Sequence, residues 1–157
     1  MTVASGRWTQ VVGAMAVGVA ICAGAAVTSS AQEPAAAASA SVWSAVYTEE
    51  QAKRGEVVSK KLCTSCHGPD LSGGEAGPAL VGLEFLGNWN ALSAGDFFDR
   101  VRSTMPADAP GTMTPQQTSD VAAYVLRLNK YPAGTTELPT DLAALKKITI
   151  ESQPPAK

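Results

Sequence analysis

The stretch "KKLCTSCHGPD", Lys60 to Asp70, places Cys63 and Cys66 three positions apart and puts His67, the single histidine of the 157-residue chain, directly after the second cysteine. Four chemistries use such a grouping: a disulfide, a zinc site, a redox thiol pair and the covalent attachment of a haem. The rest of the chain decides among them.

A structural zinc ion takes four protein ligands and a catalytic one takes three plus water. Outside the N-terminal segment discussed below, the chain offers only Cys63, Cys66 and His67, with no second ligand pair. His67 is also badly placed to chelate the same ion as its neighbour Cys66. A thioredoxin-like redox pair requires a βαβ setting, and no convincing strand run is present. A disulfide across three positions closes so small a loop that it staples almost nothing. Haem attachment uses every residue type at once, because each thiol adds across a vinyl group to form a thioether and His67 is thereby delivered to the iron as an axial ligand.

With one histidine in the chain, a bis-histidine haem within one molecule is impossible. Methionine is the natural sixth ligand, a soft thioether that favours reduced iron and raises the potential. Met105 is the expected ligand, since it follows a helix, precedes Pro106 and sits in a proline-rich loop. Met113 is the lesser candidate, because its place before Thr114 suits a hydrophobic staple to the next helix.

Upstream of the motif, residues 1–31 read as an export signal. Arg7 is the only charge before Glu33, Val11 to Val27 is an unbroken run rich in Ala, Val and Gly, and Ser29-Ser30-Ala31 supplies small residues for cleavage after Ala31. The competing reading is a retained membrane anchor, for which this run is near the short limit. Removal of Cys22 with the signal leaves two cysteines, both in the opening motif. Without Arg7 the chain carries 11 basic and 14 acidic residues. A mildly acidic protein with no basic stripe is a poor nucleic-acid binder, which leaves proteins with a complementary patch as partners.

Residues 32–42 form an Ala-rich, flexible leader, 43–150 one domain, and 151–157 a loose tail. Thr48 with Gln51 forms a capping box for a helix from Glu49 to about Cys63. Glycines at 68, 73, 74, 77, 82 and 87 and prolines at 69 and 78 predict a long loop from His67 to Leu92 with no long regular element. Ser93 caps a helix over 94–103, Thr114 with Pro115 and Gln117 opens another to about Asn129, and Thr140-Asp141 precedes a last short one over 142–147. The fold class is all-α, three to five short helices and long loops around one covalently bound haem.

With these elements placed, the chain from about Trp43 to Ile150 resembles the class I bacterial cytochromes c. It is most similar to single-haem cytochromes associated with quinoprotein alcohol dehydrogenases and related periplasmic dehydrogenases. "YTEEQAKRGE", "CTSCHGPDLSGGEAGPAL", "FLGNW", "RSTMPADAPGTMT" and "DVAAYVLRLNKYPAG" carry the resemblance. It implies that Gly55 lets the first helix cross closely against Val121 and Tyr124 of the last long one. It implies also that the Pro78 carbonyl accepts a hydrogen bond from His67 Nδ1, that Leu80 packs on the haem, and that Trp89 either approaches a haem propionate or fills the core. Met105 falls where the axial methionine is expected. Ser59 departs from the pattern, standing where an aromatic usually packs between the terminal helices, and weakens the expected helix contact.

The expected protein is a periplasmic one-electron carrier rather than an enzyme, holding haem c through Cys63 and Cys66 with His67 and Met105 on the iron. Its partners would be a periplasmic dehydrogenase as donor and an oxidase or another cytochrome as acceptor, with the membrane involved only if the N-terminal segment is retained. Two other readings are a dedicated electron-accepting subunit of a dehydrogenase complex and a five-coordinate gas-binding or sensor haem.

Overall fold

The computed structural model describes residues 40–155. The expected signal at 1–31, the leader up to residue 39 and the last two residues lie outside the described residues. Helix α1, Glu49–Leu62, starts where Thr48 Oγ1 accepts the Gln51 N–H at 3.1 Å. Glu49 and Glu50 in its first turn and Lys60 and Lys61 in its last suit the helix dipole. The reciprocal half of the expected capping box is missing, because Gln51 turns inward and is fully buried. Its amide donates to Ser119 Oγ at 3.1 Å and to Leu138 O at 2.9 Å, and it accepts the Leu138 N–H at 2.7 Å, clipping the chain after the last long helix onto α1.

A single turn, α2 (Thr64–His67), follows directly, so the cysteine motif sits at the end of the first helix. Helix α3, Gly82–Trp89, lies where the glycine pattern predicted only loop. Its reason is tertiary: Phe85 is fully buried and stacks edge-on against Phe97 at 5.6 Å, and Trp89 does the same at 4.9 Å. The i, i+4 spacing of those two aromatics outweighs two helix glycines worth about 1 kcal/mol each.

Helix α4, Ala94–Thr104, and α5, Pro115–Leu128, both open on complete capping boxes, Ser93 with Asp96 and Thr114 with Gln117. The last helix, α6, covers Leu142–Leu145, with Asp141 as its cap. Helices α1 and α5 cross at Gly55, where a Cβ would stand 1.8 Å from Asp120 O and 2.9 Å from Tyr124 Cβ. Backbone meets backbone there, so the helices are close despite Ser59, which is itself fully buried.

The domain reaches further at both ends than the composition indicated. Strand β1, Ala40–Ser41, pairs in parallel with β2, Ile148–Thr149, in the register Ala40 to Ile148. A 3-10 turn at Val42–Ser44 then buries Val42 completely, so residues 40–42 belong to the fold rather than to the leader. At the other end Glu151 O accepts from Trp43 Nε1 at 2.9 Å and from Tyr131 Oη at 3.0 Å, which ties down the start of the expected loose tail. Among the described residues no helix is long and apolar enough to cross a membrane.

Candidate functional site

The turn α2 sets the first half of the site. Cys63 ends α1 with its N–H donating to Ser59 O at 2.8 Å, and the His67 N–H donates back to Cys63 O at 2.9 Å. This compact geometry turns the cysteines and the histidine towards one cavity of about 1130 Å³, which Cys63, Cys66 and His67 all line. Met105 reaches the same cavity from α4, where it is the C-terminal cap and leaves the helix in an extended conformation.

His67 is buried, and its Nδ1 lies 2.7 Å from Pro78 O. A carbonyl only accepts, so Nδ1 carries a proton, and it is Nε2 that has the lone pair in the neutral tautomer. Such a backbone acceptor fixes the tautomer and the ring orientation and makes the imidazole a stronger donor to a metal. Gly77 makes room for this, since a Cβ there would come within 2.9 Å of His67 Nδ1.

Cys63 and Cys66 are free thiols in the structure. Burial pushes the Cys63 thiol above its ordinary value, the Ser59 hydroxyl acts in the opposite direction, and Cys66 adds to the rise. Among the described residues no group of three or more His, Cys, Asp or Glu side chains is arranged to hold a metal ion.

The other walls are largely apolar. Pro78, Leu80 and Trp89, singled out in the sequence, line the cavity together with Phe97, Val101 and Val121. Trp89 is half-buried, packs edge-on against Phe97 and lines the cavity. Phe97 and Val101 were legible only as the apolar side of α4, through their four-residue spacing. Met113 also lines the cavity and is buried, a position the staple reading alone does not require. Lys61, Arg100 and Asp108 supply the charged lining.

This donor set fits a haem. A flat apolar macrocycle needs a larger and more apolar cavity than the roughly 300–1,000 Å³ of ordinary small-molecule sites. It also needs a neutral imidazole with a free nitrogen, a soft second ligand and two thiols near one edge. His67, a methionine sulfur, Cys63 and Cys66 provide these within one cavity.

Residues 50–125 match the family model of cytochrome c oxidase, cbb3-type, subunit III. No curated protein matches the chain. Among solved structures, sulfane dehydrogenase SoxCD from Paracoccus pantotrophus is similar with a TM-score of 0.42 and 20% identity, over 57% of this chain and 53% of that chain. The matched span thus amounts to about half the length of that chain. The family match over residues 50–125, the helical architecture and the C-x-x-C-H motif show a cytochrome c domain of class I type, which implies a haem electron carrier.

Proposed function

We propose that the protein is an exported, single-haem c-type cytochrome that carries one electron at a time between periplasmic redox proteins. Cys63 and Cys66 hold the haem through thioethers, and His67 and Met105 are its axial ligands. The observation that carries this reading is the convergence of these four side chains on one cavity, with His67 Nδ1 held by Pro78 O at 2.7 Å.

When bound, the haem supplies an iron that alternates between ferric and ferrous. The chain's own residues do the rest. His67 keeps a fixed tautomer, and the Pro78 carbonyl strengthens it as a donor that favours the oxidised state. The thioether of Met105 favours the reduced state, so the pair sets the potential between them. Phe97, Val101, Val121 and Leu80 exclude water from the site, which lowers the solvent reorganisation that accompanies each transfer. A carrier of this kind needs only a small, weak docking surface. On the resemblance noted in the sequence, the donor is a periplasmic dehydrogenase and the acceptor an oxidase or another cytochrome.

The test is the visible spectrum of the oxidised holoprotein in the far-red, where sulfur-ligated ferric haem has a weak charge-transfer band. The band should be present in the native protein and in Met113→Ala and lost in Met105→Ala. Its loss in Met113→Ala alone would move the sixth ligand to Met113. Its absence from the native protein would leave the sixth position open to exogenous ligands and turn the reading towards gas binding.

A further inference from the structure

The loop that holds His67 is built almost wholly from bonds to itself. The Gly73 N–H donates to His67 O at 2.8 Å, Gly74 N–H to Gly77 O at 2.9 Å, and Leu80 N–H to Leu71 O at 2.8 Å. These bonds tie the loop to itself and to the short turn α2, whose His67 also meets Pro78 O; none of them reaches a longer helix. Among the described residues, one side chain from the longer helices hydrogen-bonds to it: Asn129, at the end of α5. Its Oδ1 accepts the Gly82 N–H at 2.9 Å, and its Nδ2 donates to Leu80 O at 3.0 Å and to Val125 O at 2.9 Å.

The amide is used fully in one orientation. Oδ1 faces an N–H and both Nδ2 hydrogens face carbonyls, so a flipped amide would oppose like groups at all three bonds. No other residue of this size replaces it, since aspartate would set a carboxylate against two carbonyl oxygens and leucine would leave the Gly82 N–H and Leu80 O without their side-chain partner. Leu80 O is two residues beyond the Pro78 carbonyl that holds His67 Nδ1. Asn129 therefore pins the acceptor of the histidine to α5, an element packed against α1 at Gly55.

We infer that Asn129 is a positioning residue for the axial imidazole, acting through Leu80, Gly82 and the Pro78 carbonyl to set the strength of the His67 hydrogen bond and with it the potential. The inference rests on the reading of His67 as an axial ligand. Its consequences are directional. Freeing the loop weakens the pull of Pro78 O on the Nδ1 proton, makes His67 a weaker donor and shifts the iron towards the ferrous form.

The experiment uses the haem-loaded protein, with NMR of the His67 ring and a redox titration, on the native protein, Asn129→Ala and Asn129→Asp. Tyr47→Phe, which removes a 2.7 Å bond to Tyr131 O away from the site, serves as a control for general loosening. In Asn129→Ala, solvent exchange of the His67 Nδ1 proton should quicken roughly tenfold, the protection of one net hydrogen bond. The ferrous to ferric ratio at fixed applied potential should rise roughly threefold, about 30 mV at about 59 mV per tenfold for one electron. Asn129→Asp should show at least as large a change, and Tyr47→Phe neither.

Exchange and potential unchanged in Asn129→Ala, with the His67 ring protons still haem-shifted, would overturn the inference and leave the axial reading intact. Equal changes in Tyr47→Phe would overturn it as well, by showing simple loosening. His67 protons without any haem shift in the native protein would overturn the axial reading itself and this inference with it. A measurement free of variants guards against failed folding: in the native protein the Gly82 N–H and the His67 Nδ1–H should exchange together, within about threefold, as one cooperative unit. A Gly82 amide that exchanges far faster than the histidine would show that the tie opens without releasing the ring, and would refute the positioning role.

Discussion

Gly55→Ala should loosen the α1–α5 crossing on which the site is hung. A Cβ at residue 55 would lie 1.8 Å from Asp120 O, 2.4 Å from Asp120 C and 2.9 Å from Tyr124 Cβ, whereas ordinary contact begins at 3.4 Å. Relief therefore requires the backbones to part by about 1.5 Å, far more than rotamer changes absorb, since the obstacle is a carbonyl inside α5. Parting also stretches the Arg54–Asp120 pair beside it, now 2.9–3.0 Å. Overpacking of this kind costs about 1–3 kcal/mol and occasionally more. Against it stands about 1 kcal/mol of better helix propensity for alanine. Because the nearest collision is with the Asp120 backbone, the upper end of the cost, about 3 kcal/mol, applies, and the expected net loss is about 2 kcal/mol. Guanidinium unfolding of the haem-loaded protein followed by far-ultraviolet circular dichroism measures it. Gly87→Ala on α3, where a Cβ meets nothing within 4 Å, isolates the propensity term and should be stabilising by about 0.5–1 kcal/mol. Gly55→Ala as stable as the native protein would refute the argument that close backbone approach, rather than helix-interior composition, explains this glycine.

Three further outcomes follow from the same packing. Gly77→Ala pushes a methyl to within 2.9 Å of His67 Nδ1 and 3.0 Å of Cε1, so the ring must tilt off Pro78 O; low-temperature electron paramagnetic resonance of the ferric protein should show altered g-values, and an unchanged spectrum would contradict the tight fit. Arg54→Ala leaves the buried Asp120 carboxylate with Gln116 Nε2 at 2.8 Å as its remaining side-chain partner, and should cost about 2 kcal/mol, part of which Asp120→Asn recovers in a double-mutant cycle. The Lys146 ammonium, followed by the Ser93 hydroxyl and backbone, lowers the Asp96 carboxyl to about 2. A lowered folded-state value means its stabilisation is present above pH ~4 and lost as pH falls towards 2, about 1 kcal/mol after allowing for its exposure. Asp96→Asn, which can keep an oxygen for the cap, should flatten that limb of an acid unfolding curve; an identical acid limb would refute the assignment.

What was legible in the sequence is what is local. Thr48, Ser93 and Thr114 each precede their helices as caps because a side-chain oxygen three residues from an N–H needs no tertiary information. The C-x-x-C-H spacing is local in the same sense. Helix α3 was missed because Gly82 and Gly87 speak for loop, and the opposing signal, Phe85 with Trp89, becomes decisive only once Phe97 of another helix is known to lie beneath them. The β1–β2 pair is two residues long on each side, too short for any period to show. Gln51 and Asn129 read as ordinary helix residues, a cap partner and a helix end. Their actual work is done by amides bonded to Leu138 and to Leu80 and Gly82, residues brought near them only by the fold.

The two sides of the cavity are supported unequally, and this bears on how an electron carrier is made. On the His67 side the loop carries a lattice of backbone bonds, the Pro78 acceptor and the Asn129 tie. On the Met105 side, the residues between α4 and α5 are held by Ala109 N–H to Pro106 O at 2.9 Å and Thr112 Oγ1 to Ala109 O at 2.8 Å, both within the loop itself. Met105 is anchored at one end, through its N–H to Val101 O at 3.0 Å, and Met113 at the other by burial before the Thr114 cap. Fewer bonds to the frame mean a lower cost of local opening. The imidazole is thus the fixed reference of the site and the thioether its adjustable member. On the proposed ligation, a soft ligand that the iron would bind more strongly when reduced suits the side that can give slightly, while the imidazole side is tied to the end of α5.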